Sequence, residues 1–200
     1  MMKKKLFFLL LAAVVMVGFT ACGGSKGQVS SKLKGTPAEI LPTVLEKATN
    51  ALPEDNKLPM SFESDITREN CQGIGLKPEE FDKYVSKATA STGAIMTSAH
   101  EIVLLQAKNA ASAAEVKKLI AAGFDSWKWI CVAPEKSCVI ESGNYVLLAV
   151  GRTAAVDAVI AAFEEAAGTV GDVNVFFTGG GAGEGGAGEG GAGGLPIQLQ

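Results

Sequence analysis

The chain has 200 residues, 48% hydrophobic and only 6% aromatic, with 18 basic and 21 acidic side chains and a formal net charge of −3. That length suits one globular domain with a linker and a tail, built around an aliphatic core. The acidic balance argues against nucleic acid or anionic lipid headgroups as partners, since both require a basic patch.

At the start, Lys3, Lys4 and Lys5 precede an uninterrupted apolar run from Leu6 to Val17, and the segment closes on Phe19-Thr20-Ala21-Cys22-Gly23. This is the layout of a secretory signal. It ends in a stretch that resembles a bacterial lipobox, where a small residue precedes a cysteine that is diacylated before cleavage. Residues 1–21 are therefore expected to be a lipoprotein signal peptide, with Cys22 the lipidated mature N-terminus at the outer face of the cell membrane. A diacylglycerol brings two acyl chains, the number that stable anchoring takes. Phe19 stands where lipoboxes prefer Leu, and it fits an Ala-x-Ala cleavage site worse, because the pocket there is small. Leu6 to Phe19 falls short of the ~20 apolar residues a helix needs to span hydrocarbon. Loss of residues 1–21 removes three lysines and no acid, taking the net charge from −3 to −6.

Residues 22–35 are small and polar and read as a flexible tether. Thr36-Pro37-Ala38-Glu39 has the form of a capping box. Pro42 lies three residues beyond it, however, so the first helix is expected over Pro42 to Leu52, with Leu41, Val44, Leu45, Ala48 and Leu52 as its apolar stripe. Residues 53–76 lack periodicity and read as a long connection, the default place for an interaction surface. Lys77-Pro78-Glu79-Glu80 opens a helix whose face is Phe81, Tyr84, Val85 and Ala88.

Ala94-Ile95-Met96 and Glu101 to Ala107 are strand candidates, the second a continuous apolar run covered on at least one face. Ser112 to Glu115 is a second capping box. Val116, Leu119, Ile120, Phe124 and Trp127 hold helical phase through Gly123, which predicts one helix over Ala113 to Trp129. Ser142-Gly143-Asn144 is a turn before a strong strand, Tyr145 to Val150. Thr153 caps a helix with Val156, Val159, Ile160 and Phe163 buried, Gly168 stops it, and Val173 to Phe177 suits an edge strand. From Gly179 to Gln200 the chain is a glycine-rich tail, with GGAGE at 180–184 and 185–189 and GGAGG at 190–194. It has nothing to bury and reads as disordered. Its glycine spacing is no nucleotide fingerprint, because no strand-to-helix transition surrounds it.

Two stretches, SAHEIVLLQAKNAASAAEVKKLI and GNYVLLAVGRTAAVDAVIAAFE, each give an apolar strand and then a helix. With the ACGGS anchor they resemble the bacterial lipoproteins catalogued as domain of unknown function 4358, over roughly Ala38 to Glu165. The chain departs from that pattern at His100, where an acid is expected, at its cysteines and at its glycine tail. The resemblance implies a surface lipoprotein of Gram-positive type and carries over no catalytic residue.

Candidate chemistry is sparse. His100 is the only histidine, and a nucleophilic pair would need it beside Cys71, Cys131 or Cys138 with an orienting third group. Cys131 and Cys138 can close a disulfide outside the cytoplasm, or be small buried hydrophobes. No cofactor is implied: Cys131-x6-Cys138 does not match a zinc site, and Glu63, Asp65 and Glu69 lack the glycine and repeated Asp/Asn of a calcium loop. Trp127 and Trp129 would point about 200° apart on a helix. Trp127 then belongs to the core, and Trp129 is the one left to stack on a sugar or anchor a partner, unless it packs under the 131–138 loop.

The expectation is a single α+β domain at 36–178, a small mixed sheet with helices on one face. It would be held to the membrane through Cys22, with no catalytic activity, and would bind an unknown protein or glycan partner, His100 and Trp129 being the residues to watch. A small cell-envelope enzyme acting on glycan or peptide is the competing class.

Overall fold

The computed structural model describes residues 30–95, 98–129 and 132–179. In chain order its elements are α1 (Pro37–Ala51), β1 (Ser61–Asp65), α2 (Pro78–Tyr84), β2 (Val85–Gly93), β3 (Glu101–Ala107), α3 (Ala110–Gly123), β4 (Lys136–Ser142), β5 (Tyr145–Gly151), α4 (Thr153–Ala167) and β6 (Asn174–Thr178). The strands form one sheet in the order β1-β2-β3-β5-β4-β6. The single α+β domain is as the sequence predicts.

Two particulars differ from expectation. Every strand pairing is antiparallel, so the sheet is not mixed. Helices also cover both faces rather than one. On one side α1 and α4 pack Leu41, Val44, Val156, Val159 and Phe163 onto Ile102, Leu104, Leu147 and Ala149. On the other α3 sets Ala113, Val116 and Ile120 against Val103, Leu105, Val146 and Leu148. The cause lies in β3 and β5, whose apolar side chains are continuous instead of alternating. Each strand therefore presents an apolar row to both faces, and one helical layer would leave half of it wet.

The first helix starts at Pro37, not Pro42. Thr36 N donates to a Glu39 carboxylate oxygen at 2.7 Å, and the Thr36 hydroxyl donates to the same oxygen at 2.9 Å. Pro42 is carried inside the helix at the loss of one ladder bond. Docking begins earlier still: Ser31 bridges Gly168, Lys32 N donates to Ala167 O at 2.8 Å, and Tyr145 OH donates to Gly35 O at 2.7 Å. The expected tether is thus already attached from Ser31 onward.

Three strands were not legible as strands. β1 lies within the stretch read as a connection. β2 begins at Val85, directly where α2 ends, so Val85 and Ala88 belong to a strand rather than to the helix expected there. Ala94 and Ile95 lie past the end of β2, and Met96 is outside the described residues. β4 includes Cys138. The helix expected to reach Trp129 stops at Gly123, and its cap is Asn109, whose Oδ1 accepts from Ser112 N at 2.8 Å. Gly75, at φ +83°, presses its backbone against this end of α3. A Cβ on Gly123 would meet Gly75 O at 2.3 Å, and one on Gly75 would meet Phe124 N at 2.4 Å. The turn at Gly143, the strand Tyr145–Gly151, the stop at Gly168 and the edge strand β6 stand as predicted.

Because neighbouring strands run antiparallel, the sheet has two distinct ends. The chain enters at one of them, with Ser31 against the Gly143 turn. At the other lie Ser61, Gly93, Glu101, Lys136, Gly151 and Thr178. The central strands are seven residues long, which separates the two ends by roughly 20 Å.

Candidate functional site

The far end of the sheet gathers the unusual side chains. Glu101 opens β3 and is buried on the α3 face. Its carboxylate is paired with the Lys128 ammonium. Lys128 also donates to Gly73 O at 2.8 Å, and it lies over the rings of Phe124 and Trp129, 4.8 and 4.9 Å from their centroids. Burial pushes the Glu101 carboxyl above its usual range, and the Lys128 charge and hydrogen bond oppose that push.

His100 precedes Glu101 and so points to the opposite face. It is 2% exposed, and its Nε2 has no hydrogen-bond partner among the described residues. Burial, with the Arg152 charge adding to it, lowers its pKa to about 4, so the imidazole is neutral at pH 7. Arg152 sits just beyond β5, where its guanidinium donates to Asn56 Oδ1 at 3.0 Å, Asn56 O at 3.2 Å and Lys57 O at 2.9 Å. It ties the α1–β1 connection to the start of α4.

A cavity of about 300 Å³ opens here, lined by Thr92, Ile95, Ser98, His100, Lys128 and Trp129. A smaller hollow of about 190 Å³ shares Ser98 and runs past Pro134, Gly151 and Arg152. At this end of the sheet Met60, Phe62, Ile95 and Trp127 are exposed, Trp127 by 68%. Trp127 stands edge-on to Phe177 with ring centroids 5.4 Å apart. Another hollow, about 400 Å³, lies at the opposite end between the start of α1 and β1–β2. There the cation Arg68 is already engaged by Asp82 at 2.7 Å, while Lys87 also lines the wall.

Of the residues singled out by sequence, His100 and Trp129 both border the same cavity. The two tryptophans exchange roles, however. With α3 ended at Gly123 the helical phase is lost, Trp127 swings to solvent, and Trp129 packs against Phe124, with 6.3 Å between ring centroids. Cys22 and Cys131 lie outside the described residues. Cys138 is a buried free thiol in the middle of β4, its pKa pushed up to about 11 by burial. Cys71 is buried near the α3 end and donates to Arg68 O at 3.2 Å. Neither thiol and no carboxylate is hydrogen-bonded to His100 among the described residues. Glu63 and Asp65 project from β1, and Asp65 accepts from the Thr89 hydroxyl at 3.3 Å. No cluster of three or more metal-ligating side chains occurs among the described residues. Sequence reasoning missed Thr92, Glu101, Lys128 and Arg152, since the Glu101–Lys128 pair joins residues far apart in the chain and leaves no local pattern.

Among the described residues no helix is long and apolar enough to cross a membrane. No family model, curated protein or solved structure matches the chain.

Proposed function

We propose that the chain is a lipid-anchored extracytoplasmic lipoprotein, acylated at Cys22, of the kind its resemblance to the 4358 lipoproteins implies. Its domain acts as a non-catalytic binding module at the cell surface, on a protein or glycan partner. One observation supports this most. The chain enters the fold at Ser31, against the Gly143 turn. The two hollows flanking His100 and the exposed Met60, Phe62, Ile95 and Trp127 occupy the other end. A leash from Cys22 would hold the first end toward the bilayer and turn the apolar end outward. Exposed apolar side chains concentrated at one end of a domain mark an interaction surface.

The competing reading, a small envelope enzyme, needs ionisable groups that converge on a substrate. Here Glu101 is engaged by Lys128, and Arg152 is spent on holding a neighbouring loop. The anchor is tested by feeding cells a fatty-acid analogue. Wild type should be labelled and Cys22→Ala should not. A mature protein whose intact mass shows the leader still attached, or no lipid, would sink the proposal.

A further inference from the structure

We propose that the stretch Leu195-Pro196-Ile197-Gln198-Leu199-Gln200 of this chain adds as a further strand to the free edge of β1. This goes beyond reading the far end as a binding face, because it names what covers part of that face, and it needs no acyl anchor. β1 is the outermost strand on its side of the sheet. Ala94 N donates to Met60 O at 2.8 Å and Ile66 N to Ala88 O at 2.9 Å, which places residues 60, 62, 64 and 66 in hydrogen bond with β2. The backbone N–H and C=O of Ser61 and Glu63 therefore point outward. Asp65 O, the next in that row, already accepts from Asn70 Nδ2 at 3.1 Å. Beside the open groups Met60 is 73% and Phe62 68% exposed. An apolar strand edge left open in this way is a template for one more strand.

The stretch from Leu195 fits that edge in pattern, reach and direction. Leu195, Ile197 and Leu199 alternate with Pro196, Gln198 and Gln200, the period of a strand with one apolar face. Between Gly179 and Leu195 stand 15 residues of Gly, Ala and Glu alone, and a linker of that composition spans about 21 Å on average. β6 and β1 are the two outer strands, five spacings apart, or about 24 Å. Thr178 and Ser61 lie at the same end of the sheet. Linker length and span thus match, the condition for the highest effective concentration. A strand arriving beside Ser61 runs parallel to β1. With Ile197 next to Phe62, the backbone groups of Leu195, Ile197 and Leu199 face β1. Those of Pro196 face solvent, where its missing N–H forfeits no ladder bond. Ser61 and Glu63 N–H then donate to Leu195 and Ile197 O, and their carbonyls accept from Ile197 and Leu199 N–H. The same register covers Met60 with Leu195 and sets the neutral Gln198 beside Glu63. The β1 of a second copy would instead bring Glu63 and Asp65 against the same acids, which is unfavourable. A partner that binds at Phe62 must first displace residues 195–200.

Hydrogen exchange of the full-length protein, followed by NMR, reads the edge directly. The Glu63 amide should exchange at least tenfold more slowly than in a chain ended at Gly194. Ile197→Asp in the full-length chain should raise the rate to that of the shortened one. Across a tenfold dilution the wild-type rate should hold, because the added strand belongs to the same molecule. Equal Glu63 rates in the full-length and shortened chains overturn the proposal, as does slow exchange that survives Ile197→Asp. Protection that fades on dilution overturns it too, since the edge is then paired with a second copy. None of these outcomes bears on fatty-acid labelling at Cys22, so the anchored binding module is judged separately.

Discussion

His100 and its neighbours set what individual side chains can do here. A histidine whose pKa falls from 6.5 to about 4 on folding is protonated in the unfolded chain before it is protonated in the folded one. Between those two pH values the unfolded state binds more protons, so stability drops as pH falls, and above 6.5 the contribution is fully present. At ~1.4 kcal/mol per unit the drop approaches roughly 3 kcal/mol. In urea titrations wild type should lose about that much between pH 7 and pH 4, and His100→Gln should be flatter by the same amount. Equal slopes for the two proteins would mean that His100 is hydrated in the native state. The ion pair beside it makes a second test. Lys128→Met strands the buried Glu101 carboxylate and should cost about 3 kcal/mol, the lower end for breaking a buried pair, since Lys128 keeps some contact with solvent. Adding Glu101→Gln should restore most of that loss, and a double variant no better than the single would show the pair does not act as a unit. At this scale sequence is a poor guide. His100 could be flagged as the sole histidine, but its burial depends on which strand it precedes and what covers that strand.

Among elements, legibility tracked side-chain size. β3, β5 and α4 announce themselves because long apolar runs or helical stripes admit one reading. β2 is VSKATASTG, and beyond Val85 at its start the buried positions are Ala88, Thr89, Ala90 and Ser91. Residues that small carry no periodic signal, and it is pairing with β1 and β3 that makes them a strand. The two strand–helix units instruct in another way. Ser112, Ala113, Val116 and Ile120 of α3 match Ala155, Val156, Val159 and Phe163 of α4 as the buried positions, yet the helices lie on opposite faces. Equal patterning thus fixes which side of a helix is buried, but not which side of the sheet receives it. The end of α3 shows tertiary contact overriding propensity. Gly123→Ala should gain close to 1 kcal/mol if the helix alone decided. Its new methyl would instead stand 2.3 Å from Gly75 O, so the variant should melt several degrees lower, and a higher melting temperature would show that the Gly75 turn yields freely.

For the whole molecule, the central consequence is polarity between its two ends. Both tryptophans of the chain lie at the end away from Ser31, so their emission reports which end meets the bilayer. If Cys22 carries the acyl chains, the nine residues from Cys22 to Ser30 can reach at most about 30 Å, and the far end can stand a further ~20 Å out. Lipidated protein in vesicles with brominated acyl chains should therefore keep its tryptophan emission, because bromine quenches only near contact. Quenching would mean that Met60, Phe62, Ile95 and Trp127 dip into lipid, and the apolar end would then be a second membrane contact instead of a partner-binding face. Charge favours the first outcome: with residues 1–21 removed the net charge would be −6, which would oppose close approach to an anionic leaflet. Raising the salt concentration screens that repulsion, so emission that stays unquenched in high salt would show that the entry point at Ser31, and not charge alone, holds the tryptophans away from the membrane.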